Sequence, residues 1–225
     1  GNCFTKPPKV YSRERLHKAE PVIDMDGVQG GIEYSDAYVV DNDSRFVFGF
    51  VRGALNVGAA CANYVELTNA TRDSRGWSAE LTDTDTGDTF TCKARVIVNA
   101  AGPFVDDLNS QLGIESKHQI VFSKGIHLIV PRIVSNEKVL AFFDDTERLF
   151  YVIPMGSRSV IGTTDERVVD PVTQVDEEDR DFLLAQINAR LDLPEPLTHD
   201  DIIAERSGVR PLVVRRGGSD QTNVD

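Results

Sequence analysis

Three groups of residues in this chain have types and spacing that could do chemistry. Arg210 stands between Val209 and Pro211, at the end of an extended stretch and before a residue that cannot donate to a sheet. A planar guanidinium held there can grip a phosphate or carboxylate with two parallel N–H donors. On local context alone, the plainer reading is a surface or ion-paired arginine. His127 follows Gly125 and Ile126 and leads into the apolar run Leu128-Ile129-Val130. A neutral, buried imidazole can take the proton of a hydroxyl as hydride leaves the adjacent carbon; it can equally be a core histidine hydrogen-bonded to backbone. Thr163, Thr164 and Asp165 form a polar triplet after the apolar strand that ends Val160-Ile161-Gly162. They suit either a turn and cap or the positioning of a bound group. His17, His118 and His199 lie among polar residues and read as solvated surface. Cys3, Cys61 and Cys92 are odd in number and lack metal-ligand spacing. No metal site is predicted, and free thiols packed against apolar neighbours in a reducing compartment are expected.

A sheet must position these side chains. From residue 114 onward, extended segments at 119–122, 126–130, 139–143, 149–153 and 159–161 are separated by turn clusters such as Asp144-Asp145-Thr146 and Met155-Gly156-Ser157, the pattern of an antiparallel sheet. Asp176 predicts the N-cap of a helix over 177–191, with acids in its first turn and Phe182, Leu183, Ile187 and Leu191 on one face. Pro194 and Pro196 stop it, and 202–209 returns to the sheet.

Before residue 114 the pattern is mixed. Ser12 opens a short helix over 13–20, a strand is expected over 32–40, and Asp41-Asn42-Asp43 can cap a helix over 44–57 that ends at Gly58. With a strand at 64–67, residues 39–67 read as a strand, helix, strand unit. Segments 77–81 and 89–92 form a hairpin, with Gly87 able to take the positive φ of its turn. Val96-Ile97-Val98 is a continuous β-branched run, expected of a strand covered on both faces. A helix over 104–112 follows, with Gly113 as its C′ residue.

The chain has 225 residues, 40% hydrophobic, enough for one large domain or two small ones. Its net charge of −12 disfavours nucleic-acid backbones. No run approaches the length of a membrane span, and the start carries no secretory pattern.

Six segments in order, Glu33-Tyr34-Ser35-Asp36, Asn99-Ala100-Ala101-Gly102-Pro103, Lys124-Gly125-Ile126-His127, Phe150-Tyr151-Val152-Ile153-Pro154, Ile161-Gly162-Thr163-Thr164-Asp165 and Ser207-Gly208-Val209-Arg210-Pro211-Leu212, resemble signature segments of the FAD-dependent glycerol-3-phosphate dehydrogenases, in the D-amino-acid-oxidase-like flavoprotein superfamily. The resemblance implies a mixed α+β and α/β fold: an N-terminal segment over 1–30, part of a Rossmann-like FAD-binding domain over 31–113, an antiparallel substrate domain over 114–214, and a polar tail over 215–225. It implies catalytic roles for His127 and Arg210, substrate proximity for Thr163, Thr164 and Asp165, and cofactor contacts at Val65, Ala101, Gly102 and Pro103. Glu66 is not assigned to a ribose, because that acid follows a glycine motif. Ile126 stands where the family often has serine.

For the whole enzyme, the resemblance implies oxidation of glycerol 3-phosphate with FAD and electron transfer to quinone. It further implies a cytoplasmic location, with peripheral membrane docking through parts outside this chain. No Gly-x-Gly-x-x-Gly occurs among the 225 residues, nor does the family's C-terminal Gly-Gly-Lys-Leu-Thr-Thr. An interior fragment is therefore expected, inactive alone, without retained FAD, and open to self-association. Two alternatives stand beside this reading: another oxidase of the same fold, including a glycerol-3-phosphate oxidase, and a non-catalytic β-rich ligand-binding module.

Overall fold

A computed structural model describes residues 6–37, 39, 43–143 and 148–217. Along the chain the elements are β1 (Lys9–Ser12), α1 (Arg13–Ala19), β2 (Gly30–Glu33), α2 (Asp43–Asn56), β3 (Val65–Asp73), β4 (Gly76–Asp83), β5 (Thr89–Ala94), α3 (Val105–Gln111), β6 (His118–Pro131), β7 (Leu140–Phe143), β8 (Leu149–Met155), β9 (Arg158–Gly162), β10 (Glu166–Val168), α4 (Glu177–Asn188) and β11 (Ala204–Arg215). They group into two units. Residues 35–101 and 107–115 fall in one, and 8–34, 102–106 and 116–217 in the other.

The second unit is built around β6. One edge of this 14-residue strand pairs antiparallel with β11, from Ala204 opposite Ile129 to Arg215 opposite His118. The other edge is shared: β9 covers His127 to Pro131, and β10 covers Phe122 to Lys124. Strands β8 and β7 extend the sheet beyond β9. The expected strands at 119–122 and 126–130 are thus one strand, and the expected 202–209 strand runs on through Pro211 to Arg215. Pro211 is tolerated because β11 pairs on one side only.

Lys124 carries the ladder through the polar interval. Its ammonium is buried but meets Asp179 at 2.5 Å and Asp176 at 3.0 Å. Burial alone lowers its pKa, but the hydrogen bonds it donates to Asp179 and Asp176 outweigh that, and the net direction is upward. The same carboxylates close the capping box of α4: the Asp176 side chain accepts from the Asp179 N–H, and the Asp179 side chain accepts from the Asp176 N–H. One ion cluster therefore ties the sheet to the helix start.

Side chains alternate along β6. Ile126, Leu128 and Val130 are fully buried and pack with Leu183, Leu184 and Ile187 of α4 and with Val152 and Ile161. Each such side chain stabilises by roughly 1.5–3 kcal/mol. The helix stops at Asn188, and Leu191 joins the core through a bridge to Ile23. Phe182, expected on the buried face, is 38% exposed; Leu184 takes that place. Strands β1 and β2 pair antiparallel, and Glu20, buried near their helix, accepts from Asn136 and Lys138.

The first unit has a smaller interior. Strands β3, β4 and β5 form an antiparallel meander, whose buried apolar residues include Ala70 and Ala79. The expected 64–67 strand is the start of β3 within this meander, so the strand, helix, strand reading of 39–67 does not hold. The 32–40 strand is confined to Gly30–Glu33, while Tyr38, Val40, Asp41, Asn42 and Asp144-Asp145-Thr146 lie outside the described residues. Val96-Ile97-Val98 is not a strand: Val96 is 71% and Val98 82% exposed, and no strand among the described residues pairs with it. A β-branched run supplies a preference for extended backbone, but a ladder needs a partner. The expected 104–112 helix begins with a 3₁₀ turn at Gly102–Phe104, continues as α3, and has Gly113 at φ +65. Cys61 and Cys92 are free thiols but exposed, contrary to the packed environment expected of them.

Candidate functional site

The face of the sheet opposite α4 gathers the chemistry. Because β6 alternates, Ser123, Gly125 and His127 share this face, and the register places Arg210, Gly208 and Arg206 of β11 directly across from them. Gly162 of β9 lies across from His127 on the other side.

Gly125 is where the site depends on a missing side chain. A Cβ there would stand 2.5 Å from Arg210 Nη2 and 2.7 Å from Thr163 Oγ1. The guanidinium thus crosses over the glycine and donates to Thr163 Oγ1 at 2.8 Å and, more weakly, to Ser123 Oγ and the Thr164 carbonyl at 3.4 Å. Asp165 Oδ1 stands 3.7 Å from Arg210 Nη1 and accepts from the buried Ser123 hydroxyl. Arg148 donates to the Asp165 carbonyl. Arg210 keeps 42% of its side chain exposed.

The triplet 163–165 fills the gap between β9 and β10 on the edge of β6. Where the ladder is interrupted, the buried Ile126 N–H donates to Thr164 Oγ1 at 3.1 Å. His127 is packed against Gly162, where a Cβ would meet its ring at 2.8 Å. Burial first, then the charges of Arg210 and Arg206, hold the imidazole pKa below its ordinary value. The neutral form is favoured at neutral pH, as a proton acceptor requires. Ile126 points into the core and is fully buried, so the residue standing where serine is frequent removes no polar contact from the face that carries His127.

The structure therefore brings Arg210, Thr163, Thr164 and Asp165 into contact and sets His127 on the same face. Val65 opens β3 in the first unit. Ala101 also belongs there, its N–H donating to Asn99 Oδ1, while Asn99 itself donates to Asn109. Gly102, at φ +56, and Pro103 form the 3₁₀ turn in the second unit. Ser123 and Arg148 are added to the set expected from sequence. Ser123-x-Gly125-x-His127 has the period that puts three residues on one strand face, a signal sufficient to find the serine. Nothing local marks Arg148. His17, His118 and His199 are exposed, as expected, and His199 pairs with Asp181 at 2.7 Å.

A family model described as DAO, FAD dependent oxidoreductase, matches residues 4–222. The chain belongs to the FAD dependent oxidoreductase family. Among curated members, D-erythritol 1-phosphate dehydrogenase of Brucella abortus is 34% identical over 208 residues, 91% of this chain and 40% of that protein. The aerobic glycerol-3-phosphate dehydrogenase of Escherichia coli is 33% identical over 189 residues, 82% and 37% respectively. The glycerol-3-phosphate dehydrogenase from Bacillus halodurans complexed with FAD superposes with a TM-score of 0.80 at 26% identity, covering 91% of this chain and 42% of that one. The chain thus spans about 40% of the length of the relatives it matches. The fold is the mixed α/β FAD-binding fold of this family, with antiparallel sheets, and FAD is the cofactor. The residues present fit an anionic ligand: the guanidinium groups of Arg206 and Arg210 flank Gly208, where no atom lies within 4 Å of an added Cβ, and His127 stands opposite Arg206.

Proposed function

We propose that the β6–β11 face is the substrate half of an FAD-dependent dehydrogenase for polyol phosphates, acting on sn-glycerol 3-phosphate at C2 to give dihydroxyacetone phosphate. The observation that carries this reading is Arg210, held over Gly125 by Thr163 with part of its side chain exposed, on the same face as His127, whose pKa burial holds low. Arg210 would bind the phosphate bidentately. Thr163, Thr164 and Asp165, braced by Ser123 and Arg148, fix the direction of that fork. His127 would take the C2 hydroxyl proton on an imidazole nitrogen. FAD, when bound, supplies the acceptor for the hydride. Val65, Ala101, Gly102 and Pro103 are assigned to the adenosine side of the cofactor on the strength of the sequence resemblance.

Electrons would pass to quinone, with the cytoplasmic enzyme docking on the membrane surface through regions outside this chain. Among the described residues, no helix is long and apolar enough to cross a membrane. The isolated chain would hold no stoichiometric FAD, because the glycine loop that seats a pyrophosphate on a helix N-terminus does not occur in it. A second reading, a four-carbon polyol phosphate as substrate, is favoured by the 34% identity to a D-erythritol 1-phosphate dehydrogenase. Steady-state kinetics of the holoenzyme with glycerol 3-phosphate, erythritol 1-phosphate and unphosphorylated glycerol test both. A kcat/KM for glycerol equal to that for either phosphate ester would overturn the phosphate-directed reading, and preference between the two esters chooses the chain length.

A further inference from the structure

Arg206 is a second cation on the site face, and the proposed reaction gives it no step. It stands opposite His127 in the β6–β11 register, and directly paired residues on one sheet face have Cβ atoms about 4.5–5.5 Å apart. It is exposed, and among the described residues no carboxylate pairs with it. Its chain neighbour Glu205 is held on the other face by Arg180 at 2.8 Å.

Among the described residues, the remaining charged or titratable groups facing His127 are few. From β11 they are Arg206 and Arg210; β9 presents Gly162, β8 presents Tyr151 across from it, and the 163–165 link presents Asp165, already engaged by Arg210 and Ser123. Lys124 lies on the opposite face with Asp176 and Asp179. Resting on the reading of His127 as the base, we propose that Arg206 is a positioning residue acting through His127, its charge keeping the imidazole a proton acceptor. The need for it follows from the chemistry. A phosphate seated on Arg210 cancels that arginine's charge and attracts a proton to the neighbouring imidazole. Arg206, which no carboxylate among the described residues pairs with, opposes that attraction. Both guanidinium charges already act on His127 in the direction this requires.

The test is an NMR titration of His127 in the full chain, its signal identified among the four histidines by its loss in His127→Asn. Arg206→Gln should raise the midpoint toward that of an ordinary imidazole, and Arg206→Lys, which keeps the charge, should leave it low. Because Arg206 is exposed, the difference between wild type and Arg206→Gln should shrink in molar salt. In the holoenzyme, the acid limb of kcat/KM should move upward with it. An unchanged midpoint in Arg206→Gln, a lysine variant that shifts as far as the glutamine variant, or a difference indifferent to salt would each overturn the proposal. The titration is read without turnover, so its failure is distinct from failure of the base role, which the turnover of His127→Asn decides.

Discussion

Helices α2 and α4 both carry apolar side chains, yet they end in opposite circumstances. In the second unit α4 buries Leu183, Leu184 and Ile187 against the sheet, whereas α2 in the first unit has no buried residue and leaves Phe46 56%, Phe50 67% and Val47 60% exposed. The difference lies in what lies next to each. An ion cluster around Lys124 docks α4 at its N-terminus, and the apolar face of β6 receives it, while among the described residues nothing buries the apolar side of α2. An amphipathic pattern specifies a face and says nothing of its partner.

Breaking the docking of α4 should have the largest effect. Lys124→Met leaves Asp179, 7% exposed, without its cation and should cost ~3–5 kcal/mol in chemical denaturation. A loss under 1 kcal/mol would show that the cluster does not hold the helix. Next, Ile187→Ala should lose ~2–5 kcal/mol through the cavity it leaves, while Phe50→Ala on α2 should stay within about 0.5 kcal/mol. Equal losses at the two positions would erase the contrast between the units. A smaller effect concerns association: replacing Phe46 and Phe50 by serine should reduce concentration-dependent sedimentation, since both belong to an uncovered apolar face. Unchanged sedimentation would mean that α2 drives no self-association.

Acid sensitivity should belong to the second unit and is the mildest of these effects. Hydrogen bonds from Lys9, then Lys138 and Tyr11, lower the Glu33 pKa to about 2. A carboxylate depressed in the folded state contributes stability above its unfolded pKa and loses it as pH falls. That contribution should therefore fade between about 4.5 and about 2. The Asp176 pKa is also lowered, first by the Asp179 backbone N–H and then by Lys124, and acts in the same direction. Glu33→Gln should flatten the stability profile in that window; a profile as steep as wild type's would remove Glu33 from it.

Much of the second unit was legible because its signals are local. The Asp176 cap with its acidic first turn, the turn at Gly156 and the spacing of Arg210, Thr163 and His127 in apolar strands all depend on neighbours a few residues away. What escaped was non-local. The continuity of β6 through Lys124 rests on acids more than 50 positions on, and Arg148 acquires meaning only through Asp165. Val96-Ile97-Val98 was misread for the same reason, since strand pairing is a property of two segments. Phe182 and Leu184 exchanged places because adjacent apolar residues at the edge of a helical stripe fit the period almost equally well.

The central claim is that Arg210 grips a substrate phosphate. Its most direct test is kcat/KM of the holoenzyme for sn-glycerol 3-phosphate and for glycerol, wild type against Arg210→Ala. A loss of ~2–5 kcal/mol is expected with the phosphate ester, only partly recovered in Arg210→Lys, and little or no loss with glycerol. Equal losses with both substrates would contradict it.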